Sequence, residues 1–275
     1  MAGLFFGTAG IPHSTCPGST VSGIERIVEL GLDCMEIEFV QGVRMGEDSA
    51  RRVAETADRL GVRLSAHAPY FINLNSHEPE KFTASQERIL QTARIAHLCH
   101  AQSIVFHAAF YLGDPPEKVY QTTRKYLVEI MSRLKRVSNP ILVRPEVTGK
   151  PTQFGNIEEV LSLSAELEGV APCIDFSHWH ARTGLFNTYP EFKSVLLRIE
   201  ERLGREALEN MHIHVAGIHY GKKGELRHLN FADSDFNCRD FLRALKDTGA
   251  GGTVICESPN LEEDALLLQS AYRSL

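Results

Sequence analysis

The fold is decided by a segment that reads RLSAH at 63–67, ASQERILQTARIAHLC at 84–99 and SIVFH at 103–107. The first and last runs are short and rich in apolar residues, as expected of buried strands. The middle run has apolar residues three or four positions apart, which is typical of an amphipathic helix. Two strands joined by a helix are predicted to lie parallel in one sheet.

The same alternation extends in both directions from this segment. The predicted strands are Leu4–Gly7, Cys34–Phe39, Arg63–His67, Ser103–His107, Ile141–Glu146, Val170–Asp175, Asn210–His214 and Thr253–Glu257. The predicted helices are Ser22–Leu30, Asp48–Leu60, Ala84–Cys99, Glu117–Val137, Ile157–Leu167, Tyr189–Leu208, Arg239–Asp247 and Leu261–Leu275. A doubly wound open sheet has the same alternation, but eight units without a GxGxxG motif favour closure. We therefore expect one α/β domain over residues 1–275, an eight-stranded parallel (β/α)8 TIM barrel with its active site at the C-terminal strand ends.

Composition restricts the class of protein further. Hydrophobic residues make up 43% of the 275 residues, enough for a large core. No apolar run approaches the ~18 residues of a membrane span, and the first residues lack a basic start, so neither a membrane protein nor a secreted one is expected. The six cysteines form no CxxC pair, and several lie in apolar runs, which favours free thiols in a reducing cytoplasm.

The net charge of −6 argues at first against nucleic acid as a partner. Carboxylates that bind cations contribute to this sum, however, and the cations would offset them. A local basic patch of Lys222, Lys223 and Arg227 also remains available for phosphates.

Polar side chains recur at the C-terminal ends of the predicted strands. These residues are His67, His107, Glu146, Asp175, His212 and Glu257. His178 and His228 follow in the loops after the sixth and seventh strands. A lone histidine or glutamate at such a place is more often structural than functional. The whole set converges on one mouth, and burying so many carboxylates without partners would cost several kcal/mol. Bound cations would compensate that cost, so we predict a metal centre.

Histidine nitrogens mixed with carboxylate oxygens suit zinc, with manganese or iron(II) as alternatives. At least eight ligands are too many for one ion, so two or three ions are expected. Two-metal sites catalyse phosphoester or peptide hydrolysis. His214 shares a strand face with His212 by the period of two, which makes it a second-layer or alternative ligand.

At these positions the chain resembles the endonuclease IV family of abasic-site endonucleases, within the xylose isomerase-like superfamily. The resemblance is carried by LSAHAPYFINL (64–74), IVFHAA (104–109), VRPEVTGK (143–150), CIDFSHWHA (173–181), MHIH (211–214) and ICESPN (255–260). It runs in the same order from His67 to Glu257. The resemblance implies a hydrolase of DNA base excision repair that acts on damaged double-stranded DNA as a monomer without an obligate protein partner.

The resemblance also implies roles for individual residues. One zinc ion would be held by His67, His107 and Glu146. The second would be held by Glu146, Asp175, His212 and Glu257, so that Glu146 bridges the two ions. The third would be held by His178 and His228. Glu146 or Glu257 would orient the attacking water. Tyr70 and Arg44 match the residues that the family inserts at the lesion.

The chain departs from this family at the third ion. Leu226 stands where the family has an aspartate, and Glu225 replaces that ligand only if the loop bulges. The alternative enzyme is a sugar isomerase or epimerase with one metal on Glu146, Asp175, His212 and Glu257. A barrel kept only as a binding module is a third interpretation, which the near-complete ligand set disfavours.

Overall fold

Eight parallel strands form the central sheet of the computed structural model, which describes residues 3–275. The first two residues of the predicted domain, Met1 and Ala2, lie outside the described residues. The barrel strands are β1 (Leu4–Ala9), β2 (Cys34–Glu38), β3 (Arg63–His67), β4 (Ser103–Phe106), β6 (Leu142–Pro145), β8 (Cys173–Asp175), β9 (Met211–Val215) and β12 (Gly252–Cys256). Two antiparallel pairs lie outside this sheet: β5 (Ala109–Phe110) with β7 (Gln153–Phe154), and β10 (Gly217–Gly221) with β11 (Gly224–Leu229).

The strand order closes the sheet into a barrel. β1 pairs with both β2 and β12, and the ladder continues to β6 at one end and β8 at the other. Single parallel bridges, Val143 with Val170 and Glu146 with Cys173, join those two ends. The predicted (β/α)8 TIM barrel is confirmed, and the C-terminal ends of its strands face one mouth.

Helices surround the barrel. Their bounds are α1 (Thr20–Glu29), α2 (Glu47–Leu60), α3 (Pro79–Leu98), α4 (Pro116–Arg136), α5 (Ile157–Glu166), α6 (Phe176–Thr183), α7 (Tyr189–Leu203), α8 (Arg205–Glu209), α9 (Cys238–Thr248) and α10 (Glu262–Ser274). The predicted helix Tyr189–Leu208 is interrupted at Gly204, whose φ of 85° ends α7. Helix α3 begins earlier than predicted because Pro79 suits the first turn of a helix.

Two different environments lie on the two faces of the sheet. The outer face packs on the helices through fully buried apolar side chains such as Ile27, Leu127 and Phe241. Burying each of these stabilises the fold by roughly 1.5–3 kcal/mol relative to exposure. The inner face carries buried polar groups such as Glu36 and His212, whereas barrel interiors usually consist of branched apolar residues. Among the described residues, no helix is long and apolar enough to cross a membrane.

Candidate metal centre

Five of the predicted ligands lie at the ends of barrel strands. His67 and Asp175 are the last residues of β3 and β8, while His107, Glu146 and Glu257 directly follow β4, β6 and β12. Because the strands are parallel, these ends meet at the same mouth. The barrel therefore brings together side chains that are far apart in sequence.

Glu146 is the carboxylate on which this mouth is centred. Its side chain is 1% exposed, and Oε2 lies 3.2 Å from His67 Nε2 and 3.1 Å from His107 Nε2. Oε1 lies 3.0 Å from His178 Nδ1 and 3.6 Å from His214 Nδ1. One atom of each of His67, His107 and Glu146 can reach a shared ion, and we call these residues the first group.

The second group consists of Glu146, Asp175, His214 and Glu257, whose ligand atoms also lie within reach of one ion. His214 Nδ1 is 3.2 Å from Glu257 Oε1. Glu146 Oε1, Asp175 Oδ2 and His214 Nδ1 are buried and make no hydrogen bond. Orphaned buried polar atoms are costly, and three that face one another fit a bound cation. Glu146 belongs to both groups, as the bridging role requires.

The third group is His178, Glu225 and His228. His178 Nε2 lies 3.3 Å from His228 Nε2 and 3.5 Å from Glu225 Oε2. Two nitrogens at the usual Zn–N distance on a tetrahedral ion are about 3.3–3.4 Å apart. His178 is placed by α6, a helix not predicted from sequence, whose N-cap Asp175 accepts a hydrogen bond from the His178 backbone at 2.6 Å. The predicted pair His178 and His228 is thus completed by Glu225.

A bulge in the β10–β11 hairpin turns Glu225 toward the site. His219 pairs with Arg227 and Tyr220 pairs with Glu225, so Leu226 is an extra residue between them. Leu226 points away and is 61% exposed. A bulge reverses the inward and outward alternation of a strand beyond it, and Glu225 and His228 therefore face the same side.

Close backbone contact holds this hairpin against the loop after β6. The Glu225 backbone donates to the Gly149 carbonyl at 2.9 Å. A Cβ on Gly149 would lie 2.6 Å from the Glu225 Cβ, and one on Gly224, whose φ is 86°, would lie 2.2 Å from the Gly149 oxygen. Only glycine permits this approach, so Gly149 and Gly224 help to define the third group.

The structure places His214, rather than His212, in the second group. Both face the barrel interior, as the period of two requires, but His212 lies one pleat deeper toward the N-terminal end of β9. There its Nε2 is 2.9 Å from Glu36 and its Nδ1 is 2.9 Å from Thr253 Oγ1. The predicted assignment of His212 as a ligand with Glu146, Asp175 and Glu257 is corrected accordingly.

Sequence reasoning missed two glutamates on β2. Glu36 is fully buried and contacts both His212 and His214, while Glu38 ends the strand near the mouth with Oε1 buried and without a hydrogen bond. The signal was present in DCMEIEF (33–39), where two carboxyl residues two apart occur inside an apolar strand. Glu38 is the last residue of β2, and the same position at the end of a strand identified His67 as a candidate.

The charged forms of these buried side chains are stabilised mainly by neighbouring side chains of opposite charge. Burial would raise the pKa of the Glu146 carboxyl, but neighbouring imidazoles, above all His107, hold it well below its usual range. Burial lowers the pKa of His67, but its hydrogen bond with Glu146 and the charge of Glu38 raise it to about 10. Burial raises the pKa of Asp175 to about 6. A proton on the His67 imidazole thus lies where a cation of the first group would bind, and cation binding would release it.

The two predicted DNA contacts have different surroundings. Tyr70 is 59% exposed beside the first group, its ring 5.7 Å from that of His67, and the next residue, Phe71, is exposed as well. Arg44 is exposed in the loop after β2 and lines a cavity of about 1010 Å³ between α1 and α2. Lys222, Lys223 and Arg227 are exposed on the β10–β11 hairpin, next to the third group.

A family described as xylose isomerase-like TIM barrel matches residues 24–274. An uncharacterized protein of Methanocaldococcus jannaschii is 46% identical over 273 residues, covering 99% of this chain and 98% of its own. A probable endonuclease 4 of Halorhodospira halophila is 24% identical over 246 residues, covering 86% of this chain and 82% of its own.

Solved structures of two kinds of enzyme share the fold. Endonuclease IV from Thermus thermophilus superimposes with a TM-score of 0.69 at 20% identity, covering 100% of this chain and 98% of that one. A D-tagatose 3-epimerase-like protein superimposes with a TM-score of 0.72 at 18% identity, covering 98% and 96%. At these identities the likeness concerns the fold alone.

Proposed function

Because the chain belongs to the xylose isomerase-like TIM-barrel family, we propose that it is a metal-dependent phosphodiester hydrolase that cleaves DNA at abasic sites. The observation that carries this proposal is the set of three adjacent groups described above, two of which share Glu146. A reaction that needs one metal ion would not require the first and third groups. The 24% identity to a probable endonuclease 4 supports the same assignment.

The proposed ions are zinc, two or three per chain, with manganese or iron(II) as alternatives, because each of the three groups mixes imidazole nitrogen with carboxylate oxygen. When bound, such ions lower the pKa of water and offset negative charge on the phosphate. Two protein carboxylates have the remaining catalytic roles. Glu146 is shared by the first and second groups. Glu257, with Oε1 3.2 Å from His214 Nδ1 and Oε2 3.9 Å from His228 Nε2, would orient the attacking water.

The surface around the mouth supports damaged duplex DNA as the partner. Tyr70 and Phe71 present exposed aromatic rings at one edge, and exposed rings can stack on unpaired bases. The hairpin residues Lys222, Lys223 and Arg227 present positive charge for phosphates at another edge. We also propose a reducing, cytoplasmic setting, in which buried free thiols such as Cys99 and Cys256 persist.

The second candidate is a single-metal sugar epimerase that uses the second group. The observation that favours it is Glu38, a further carboxyl near the mouth. Burial raises the pKa of Glu38 to about 8, so it would exchange protons near neutral pH, as an acid or base catalyst must. Glu38 would then share the proton transfers with Glu146 and Glu257, the residues predicted for that role.

One experiment separates these candidates. The purified protein is analysed for bound metals and then assayed with a duplex that contains one abasic site, and in parallel with ketoses whose proton exchange is followed by NMR. We expect two or three zinc ions per chain and strand cleavage, both reduced in Glu146→Gln. One ion per chain with ketose exchange and an intact duplex would replace the hydrolase with the epimerase.

A further inference from the structure

We infer that Glu36 is a positioning residue that orients the imidazole of His214 toward the second group. This inference rests on the metal-binding part of the proposed function and does not depend on whether DNA or a sugar is the substrate. It concerns a residue inside the barrel, beneath the mouth.

The contact between Glu36 and His214 selects one ring nitrogen for the ion. Glu36 Oε1 lies 2.9 Å from His214 Nε2, and both side chains are fully buried. Glu36 Oε1 makes no aligned hydrogen bond, and His214 Nε2 also lies 3.2 Å from His212 Nε2. A negatively charged oxygen 2.9 Å away nevertheless repels a lone pair, so it favours the proton of the neutral ring on Nε2. The lone pair is then on Nδ1, which faces Glu257 at 3.2 Å and Glu146 at 3.6 Å.

A network of side chains from neighbouring strands holds Glu36 in this orientation. Ser65, on β3, donates its hydroxyl to Glu36 Oε2 at 2.6 Å. His212 Nε2, on β9, lies 2.9 Å from the same oxygen, and Thr253, on β12, donates to His212 Nδ1 at 2.9 Å. With Nδ1 of His212 as acceptor, its Nε2 carries the proton and also donates to Glu36. Two donors thus hold Oε2, and Oε1 is left facing His214 Nε2.

A buried carboxylate is expensive, and the network explains how this one is retained. Carboxylates that accept the distal N–H of a ligating histidine fix its tautomer and raise its basicity, and their loss weakens metal binding about 10–100-fold. A rival arrangement uses the same atoms, because Cys173, His212 and His214 could themselves hold an ion. In that case His214 Nε2 would be a ligand rather than the protonated nitrogen beside Glu36.

The first experiment measures metal affinity, not activity. Zinc is titrated into the chelator-stripped full chain against a fluorescent chelator, for wild type, Glu36→Gln and Glu262→Gln. Glu262 is a matched control, since its carboxylate is also buried and accepts backbone N–H groups of His13 and Ser14 but belongs to none of the three groups. We expect one ion to bind about 10–100-fold more weakly in Glu36→Gln and unchanged affinities in Glu262→Gln.

Equal affinities in Glu36→Gln and wild type would overturn the inference and leave the proposed function standing. Wild-type protein that binds no divalent ion would overturn both. A further ion that is lost in Cys173→Ser would also overturn the inference, because His214 Nε2 would then be occupied.

The second experiment needs no variant at Glu36 and remains decisive if that variant does not fold. Long-range nitrogen–proton NMR of the zinc-loaded wild type, in which ligating imidazoles are neutral, reports which ring nitrogen of each histidine carries the proton, and the signal lost in His214→Gln identifies His214. We expect the proton on Nε2. A proton on Nδ1 would contradict the inference whatever the enzyme's substrate.

Discussion

The first and third groups are built on different kinds of structure. His67, His107 and Glu146 stand at the ends of parallel strands whose register is set by the hydrogen bonds of the barrel. His178, Glu225 and His228 stand on a short helix and on a bulged hairpin outside the barrel. The register of the barrel strands sets the positions of the side chains at their ends. The third group depends instead on local contacts that a single substitution can remove.

The largest expected effect follows from removing the charge that joins the first and second groups. Glu146→Gln keeps the side-chain volume but leaves both groups one carboxylate short, so the chain should lose two ions. Activity should fall by more than the about 10–100-fold that loss of an indirect partner of a metal costs. Elemental analysis and an abasic-duplex assay measure both. Circular dichroism should show an intact fold, and near wild-type turnover would refute the shared site.

Breaking the hairpin contact should affect the third group alone. In Gly149→Ala the new Cβ would lie 2.6 Å from the Glu225 Cβ, so the hairpin must shift and carry Glu225 away. We expect one ion fewer per chain, measured by elemental analysis after dialysis. Gly18→Ala is the control, because a Cβ there meets open space. Full metal content in Gly149→Ala would show that the hairpin does not determine the third group.

The bulge makes opposite predictions for two neighbouring residues. Glu225→Ala should weaken the third ion by at least about tenfold, since even indirect partners of a metal cost that much. Leu226→Asp should change little, because this side chain points to solvent. Competition with a mild chelator measures both affinities. A gain of affinity in Leu226→Asp would mean that the hairpin pairs without the bulge.

A smaller effect is expected from pH, and it concerns the first group. The pKa of His67 is raised to about 10 in the metal-free protein, above the ~6.5 of an unfolded chain. The folded state therefore binds this proton more tightly, and the stabilisation, full below pH ~6.5, is lost as the pH rises toward 10. Urea unfolding of chelated protein at pH 7 and 9.5 should show this loss. His67→Asn should reduce the loss of unfolding free energy between the two pH values. The same loss in that variant as in the wild type would refute the assignment of this pH dependence to His67.

The barrel was predictable because its pattern is local. The spacing of apolar residues along the chain predicts each strand and helix. Strand-end residues such as His67 and Asp175 could therefore be identified without any knowledge of tertiary contacts. Glu36 and Glu38 were overlooked, although their spacing in β2 carried the same signal. Helix α6 was missed because it is short, with no apolar face long enough to show a period.

The sequence by itself determined the (β/α)8 architecture, the face of each strand and the chemical types of the side chains at the strand ends. Only the tertiary structure decided that His214 rather than His212 joins Glu146 and Glu257, because a period of two gives the face of a residue but not its depth in the barrel. It also decided that Glu225 rather than Leu226 faces the third group. That choice depends on a bulge formed where the hairpin packs on Gly149. The two segments in this contact are about two βα units apart in sequence, so no local pattern could reveal it.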